Sequence, residues 1–173
     1  MNAQTTDGPR PSRAFIAVRS LGYAIAFVML WTWIIAAAAP FDERLGFYLP
    51  AWLRLPGLAL AALGAVLTVA CVVAFTVAGL GTPAPFDAPR HFVATGPYRY
   101  LRNPMFLGAA IVLVGAAFML RSPTTLSVAA LFLVLAHLFI VFYEEPTLER
   151  KFGDEYRAYR AAVRRWIPRS PGG

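Results

Sequence analysis

Charge is what this sequence has least of. Asp, Glu, Lys and Arg make up 14% of its 173 residues, against about 25% in an average soluble domain. So few charges cannot cover the surface of a water-soluble globule of this length, which argues against a monomeric cytosolic enzyme. A hydrophobic content of 58% also excludes a disordered chain, whose composition is too polar to build a core. Cysteine is nearly absent: Cys71 stands alone in an apolar run, so no intrachain disulfide and no cysteine-based metal site can form. Acidic residues are scarce, 9 against 16 Lys and Arg. A basic and very apolar chain suits anionic lipid headgroups better than nucleic acid. Internal repeats, a Ser/His/Asp arrangement, a His/Cys cluster and a glycine-rich phosphate loop are all missing, so no metal and no covalent nucleophile are expected.

What abounds is hydrophobic runs. Four stretches reach the roughly 17–25 residues that cross a bilayer as helix: residues 21–39, 55–80, 104–120 and 124–143. The expected architecture is an all-α integral membrane protein, one domain over residues 1–173, with about four transmembrane helices. Residues 1–12 are polar and expected to be disordered. Ala37 and Ala39 precede Pro40 as at a signal cleavage site, but the apolar core before them is longer than the roughly 7–15 residues of a signal peptide. Basic residues fall on one side: only Arg44, Arg54 and Arg121 lie on the face away from the N-terminus. This bias places both termini in the cytoplasm. Gly57, Ala61, Gly64, Ala65 and Thr68 in the second span, and Gly108, Ala109, Gly115 and Ala116 in the third, form small-residue stripes where helices approach closely. Gly108 stands apart from the others because it falls inside a polar motif.

That motif closes a loop over residues 81–103, rich in Pro and Gly, that reads as shaped and non-helical. Arg99, Arg102 and Asn103 lie at the mouth of the third span, where unsatisfied backbone N–H groups suit a carboxylate or phosphate. Anchoring by positive charge accounts for the same arginines. Glu144 and Glu145 end the fourth span. They repel each other, oppose the helix dipole, and lie at a membrane edge where a charge needs a partner or a purpose. Arg99 or Arg102 can supply the partner, or a glutamate can grip a polar ligand. His137 lies seven residues before Glu144, on the same face of an α-helix. It is a candidate site residue, or a neutral histidine bonded to a neighbouring helix. Beyond Pro146, Leu148, Phe152, Tyr156, Tyr159, Val163 and Trp166 form the apolar stripe of an amphipathic helix ending at Ile167-Pro168. It either lies on the membrane or folds over the loop as a lid.

Three blocks carry a resemblance over about half of the chain, residues 81–168. They are residues 96–108 (Gly-Pro-Tyr-Arg-Tyr-Leu-Arg-Asn-Pro-Met-Phe-Leu-Gly), Tyr143-Glu144-Glu145-Pro146, and Phe152-Gly153-Asp154-Glu155-Tyr156 with Tyr159 and Arg165-Trp166-Ile167-Pro168. In this order they resemble the membrane-embedded S-adenosylmethionine-dependent methyltransferases, which include isoprenylcysteine carboxyl methyltransferases, phosphatidylethanolamine N-methyltransferases and bacterial relatives. The resemblance implies a cytoplasm-facing cofactor pocket bounded by the last two spans and the C-terminal segment. Tyr98, Arg102, Asn103, Pro104, Gly108, Glu144, Glu145 and Tyr156 would shape it. Carboxyl methyltransferases usually have His-Pro where this chain has Asn103-Pro104, and the form here is closer to the phospholipid methyltransferase pattern. The acceptor is therefore not carried over.

Methyl transfer from a sulfonium needs the donor and nucleophile brought to about 3–3.5 Å with water excluded. A lipophilic acceptor is expected to arrive laterally from the bilayer. A carboxylate or thiolate would be compensated by Arg99 or Arg102, and an amine would lose its proton to Glu144, Glu145 or His137. Two alternatives stand beside this one: an NADPH-dependent enzyme like the membrane sterol reductases, and a non-catalytic lipid-binding subunit.

Overall fold

A computed structural model describes residues 13–78 and 94–168. The polar start, the end of the second expected span at residues 79–80, and most of the Pro- and Gly-rich loop (81–93) lie outside the described residues. Every regular element among the described residues is helical: α1 (Arg13–Leu45), α2 (Arg54–Ala78), α3 (Pro104–Leu120), α4 (Pro123–Phe139), α5 (Glu145–Phe152) and α6 (Asp154–Ala162). Single 3-10 turns precede α2 (Ala51–Leu53) and occupy Gly96–Arg99, and a π turn (Ile140–Glu144) joins α4 to α5. Leu21–Leu45, Ala51–Ala74 and Pro123–Phe152 are long and apolar enough to cross a membrane; Pro104–Leu120 is apolar but shorter. Their outward faces carry large apolar side chains such as Trp33, Trp52, Leu55 and Val66, the surface expected where lipid is the solvent.

The first and last spans run further than their hydropathy predicts. α1 does not stop before Pro40 but carries it inside the helix to Leu45. Its final turns reach another helix. Asp42, buried, accepts the backbone N–H of Thr124 at 2.9 Å, so the end of α1 caps the start of α4. At the same end of the molecule, Arg121 takes the left-handed conformation (φ 59°) that closes α3, and its Nε donates to the carbonyl of Leu49 at 2.7 Å. Ser122 caps α4 by accepting the Thr125 N–H at 2.8 Å. These contacts make the α3–α4 hairpin a fixed corner.

The α2–α3 pair is the tightest contact. A Cβ on Gly64 would lie 2.6 Å from the Gly108 carbonyl, and one on Gly115 would lie 2.5 Å from the Ala61 nitrogen and 2.7 Å from the Gly57 carbonyl. Backbone meets backbone at two levels seven residues apart on each helix, which only glycine permits. Gly115→Ala is expected to force the helices apart at a cost of about 1–3 kcal/mol, seen as a lower unfolding midpoint in detergent. Gly22→Ala is its control, because nothing lies within 4 Å of a Cβ there.

The helical path from α4 runs on through the π turn into α5, which already contains Pro146, so the amphipathic stretch does not begin as a new helix beyond that residue. The π turn has already interrupted the ladder (the Glu145 N–H reaches back five residues, to the Ile140 carbonyl), so a proline in the first turn of α5 is tolerated. The amphipathic stretch is instead split at Gly153, whose φ of 55° and ψ of −123° lie in a region reserved for glycine. Its second half ends at Ala162, not at Ile167-Pro168. Val163 is extended, and the chain turns back so that the Arg164 carbonyl accepts the Arg102 N–H at 2.9 Å.

A candidate binding site where α3, α4 and the C-terminal segment meet

The 3-10 turn Gly96–Arg99 presents the ring of Tyr98 to α2, where it packs on Cys71 with Leu67, Ala74 and Met105 around the two. Gly96 makes the turn possible at φ 58°. α3 then starts on Pro104, a residue suited to a first helical turn because it has no N–H to leave unsatisfied. Asn103 occupies the N-cap position but its side chain caps nothing.

Glu145, buried, is the centre of the polar cluster. Arg165 grips it with two parallel bonds, Nε to Oε1 at 2.8 Å and Nη2 to Oε2 at 2.9 Å. Arg102 approaches the same carboxylate from the other side, Nη1 to Oε1 at 3.1 Å. A fork-to-carboxylate pair fixes orientation as well as charge. The Tyr156 hydroxyl accepts from Arg102, and the Tyr159 hydroxyl donates to the Tyr98 carbonyl at 2.7 Å. The apolar stripe of α6 therefore faces the segment at residues 98–102. Burial first, then the Glu145 charge, pushes the Tyr156 hydroxyl up to about 12. Burial likewise raises Tyr98 and Tyr159, so these phenols hold their protons and are not bases. Hydrogen bonding to Glu145 raises Arg165.

Among the described residues, several buried polar atoms in and beside this cluster lack a hydrogen-bond partner, Arg102 Nε and Nη1 among them. Asn103 Nδ2 and Glu144 Oε2 are buried without a hydrogen-bond partner among the described residues. One is a donor next in sequence to Arg102, the other an acceptor next to Glu145. Buried polar atoms are nearly always paired, so an unpartnered donor and acceptor beside one ion cluster make this the candidate binding site.

Of the sequence-expected residues, Tyr98, Arg102, Asn103, Pro104, Glu144, Glu145 and Tyr156 converge here. Arg99 is exposed, and the arginines that pair with Glu145 are Arg102 and Arg165. Gly108 lies against α2: a Cβ there would meet Thr68 Oγ1 at 2.6 Å, so its missing side chain serves helix packing. His137 does not share a face with Glu144. The π turn between them widens the helix, and His137 is exposed while Glu144 Oε2 is buried. Its Nδ1 accepts from Trp166 Nε1 at 3.2 Å. Arg165 and Tyr159 are the partners that the residue pattern did not single out. Both stood in the third block of the resemblance, and only the backbone's return at Val163 brings Arg165 to Glu145.

A family model described as phospholipid methyltransferase matches residues 52–155. The match takes in α2, α3, α4 and the Arg102–Glu145 pair, and ends before Tyr156 and Arg165. An uncharacterized protein of Haemophilus influenzae (strain ATCC 51907 / DSM 11121 / KW20 / Rd) is 35% identical over 63 residues, which cover 36% of this chain and 100% of that protein.

Proposed function

The chain belongs to the phospholipid methyltransferase family, and from that premise we propose that it transfers a methyl group from S-adenosylmethionine to a lipid or lipid-like acceptor. Four helices, α1 to α4, would span the membrane, with both termini on the basic, cytoplasmic side. The observation that carries this is the orphaned pair, Asn103 Nδ2 and Glu144 Oε2, beside the Arg102–Glu145 cluster. S-adenosylmethionine is an amino acid with two cationic centres and a carboxylate. Its cationic side suits the unpartnered Glu144 oxygen, and its carboxylate suits the donors at the start of α3. The residues present fit the group.

When bound, the cofactor supplies a methyl group already activated by its sulfonium. The chain has to position and to exclude water. Arg102, Asn103 and Pro104 would form one wall, Glu144 and Glu145 the other, and Tyr98 and Tyr156 the floor, with the C-terminal segment as a roof. The acceptor's reacting group would enter from the bilayer side, where the outward faces of the helices are apolar. If that group is an amine it must lose a proton, and His137 is a candidate to accept it.

Calorimetric titration of the purified protein in detergent tests the assignment. Saturable binding of S-adenosylmethionine and none of NADPH is expected. Binding of NADPH alone would move the chain to the reductase-like class, and binding of neither would leave a non-catalytic lipid-binding subunit.

A further inference from the structure

Adjacent glutamates in a polar motif invite one shared role, but their surroundings here are opposite. Glu145 has both oxygens engaged by Arg165 and one of them also by Arg102. The charge of such a carboxylate is already committed to two arginines. Glu144 has a buried oxygen that nothing among the described residues engages. Arg165 belongs to a segment with no regular structure of its own, held across the ends of α3 and α4 at successive residues. The Arg164 carbonyl takes the Arg102 N–H, Arg165 takes Glu145, and Trp166 Nε1 donates to His137 Nδ1.

We propose that the two glutamates divide the work. Glu145 is a positioning residue that, through Arg165, fastens residues 164–166 over the site, and Glu144 is the carboxylate that meets the ligand's cation. This rests on the assignment of S-adenosylmethionine to the site, and deepens it by naming which acid binds and which one holds the roof. Arg165 lies beyond the residues that match the family model, in the C-terminal block of the chain. Two-point gripping is the reason for arginine: lysine at residue 165 keeps the charge and loses the second bond.

Two readouts separate the roles: hydrogen exchange of the peptide containing residues 163–168, and the affinity for S-adenosylmethionine by calorimetry. Arg165→Gln is expected to speed exchange of that peptide at least tenfold with no ligand present, and to weaken binding as a consequence. Arg165→Lys is expected to restore part of both. Glu144→Gln is expected to leave exchange at the wild-type rate while lowering affinity at least tenfold. Unchanged exchange in Arg165→Gln overturns the latch. Unchanged affinity in Glu144→Gln, with the wild type binding, overturns the division of roles. Wild-type protein that binds no S-adenosylmethionine overturns the methyltransferase assignment and the role of Glu144 with it, and is distinguishable because the exchange arm needs no ligand.

Discussion

Glu145→Ala is expected to be the most damaging single substitution outside the helix contacts, lowering stability by about 3–5 kcal/mol. Glu145 is the anion for two guanidinium groups, and its own side chain and that of Arg102 are only 10% and 11% exposed. Removing one member of a buried ion cluster leaves the others charged in a medium that solvates them poorly, which costs far more than the cluster's net worth when intact. Here the removal strands two cations at once. The C-terminal segment also loses its ion-pair anchor through Arg165. Thermal unfolding in detergent should show the loss as a lower midpoint, and Glu145→Gln should fall between, since it keeps an acceptor oxygen. A midpoint unchanged in Glu145→Ala would mean that the C-terminal segment is held by other contacts.

Asn103→Ala should behave in the reverse way. The side chain is buried, makes no capping bond and has an amide nitrogen without a partner. Its loss removes no hydrogen bond between that nitrogen and the described residues, so the unfolding midpoint should hardly move. If the amide donates to a charged ligand group, the bond is worth about 1.5–3 kcal/mol, or on the order of 10- to 150-fold in affinity. Calorimetry with S-adenosylmethionine reads this directly. A stability loss with affinity intact would show that Asn103 shapes the α3 start and does nothing for the ligand.

Contrasting Asn103 with Glu145 shows what residue types alone reveal. That a charged doublet at the end of an apolar run needs a partner or a purpose was legible, because the cost of an unpaired charge near lipid is general. Arg102 was recognisable as a partner for the same reason. Arg165 was not, because its approach depends on the turn at Gly153 and the extended Val163, which together fold the chain back over 20 residues. The apolar runs themselves were plain, yet their ends were set by distant contacts. Pro40 reads as a stop, but α1 continues because Asp42 has the Thr124 N–H to cap. The π turn has no local signature in Ile140–Glu144, and it is what takes His137 off the face of Glu144. Gly108 showed the converse. Its place inside the polar motif drew attention to a ligand, whereas its spacing to Gly115 already matched that of Gly57 to Gly64 on α2.

The most direct test of the whole account is to incubate the purified protein with methyl-labelled S-adenosylmethionine and a total lipid extract of its host membrane, then follow the label by mass analysis. Label is expected in a lipid fraction, with the Glu144→Gln protein transferring at least tenfold less. A lipid extract that stays unlabelled, with protein shown to be folded and S-adenosylmethionine in excess, would contradict it.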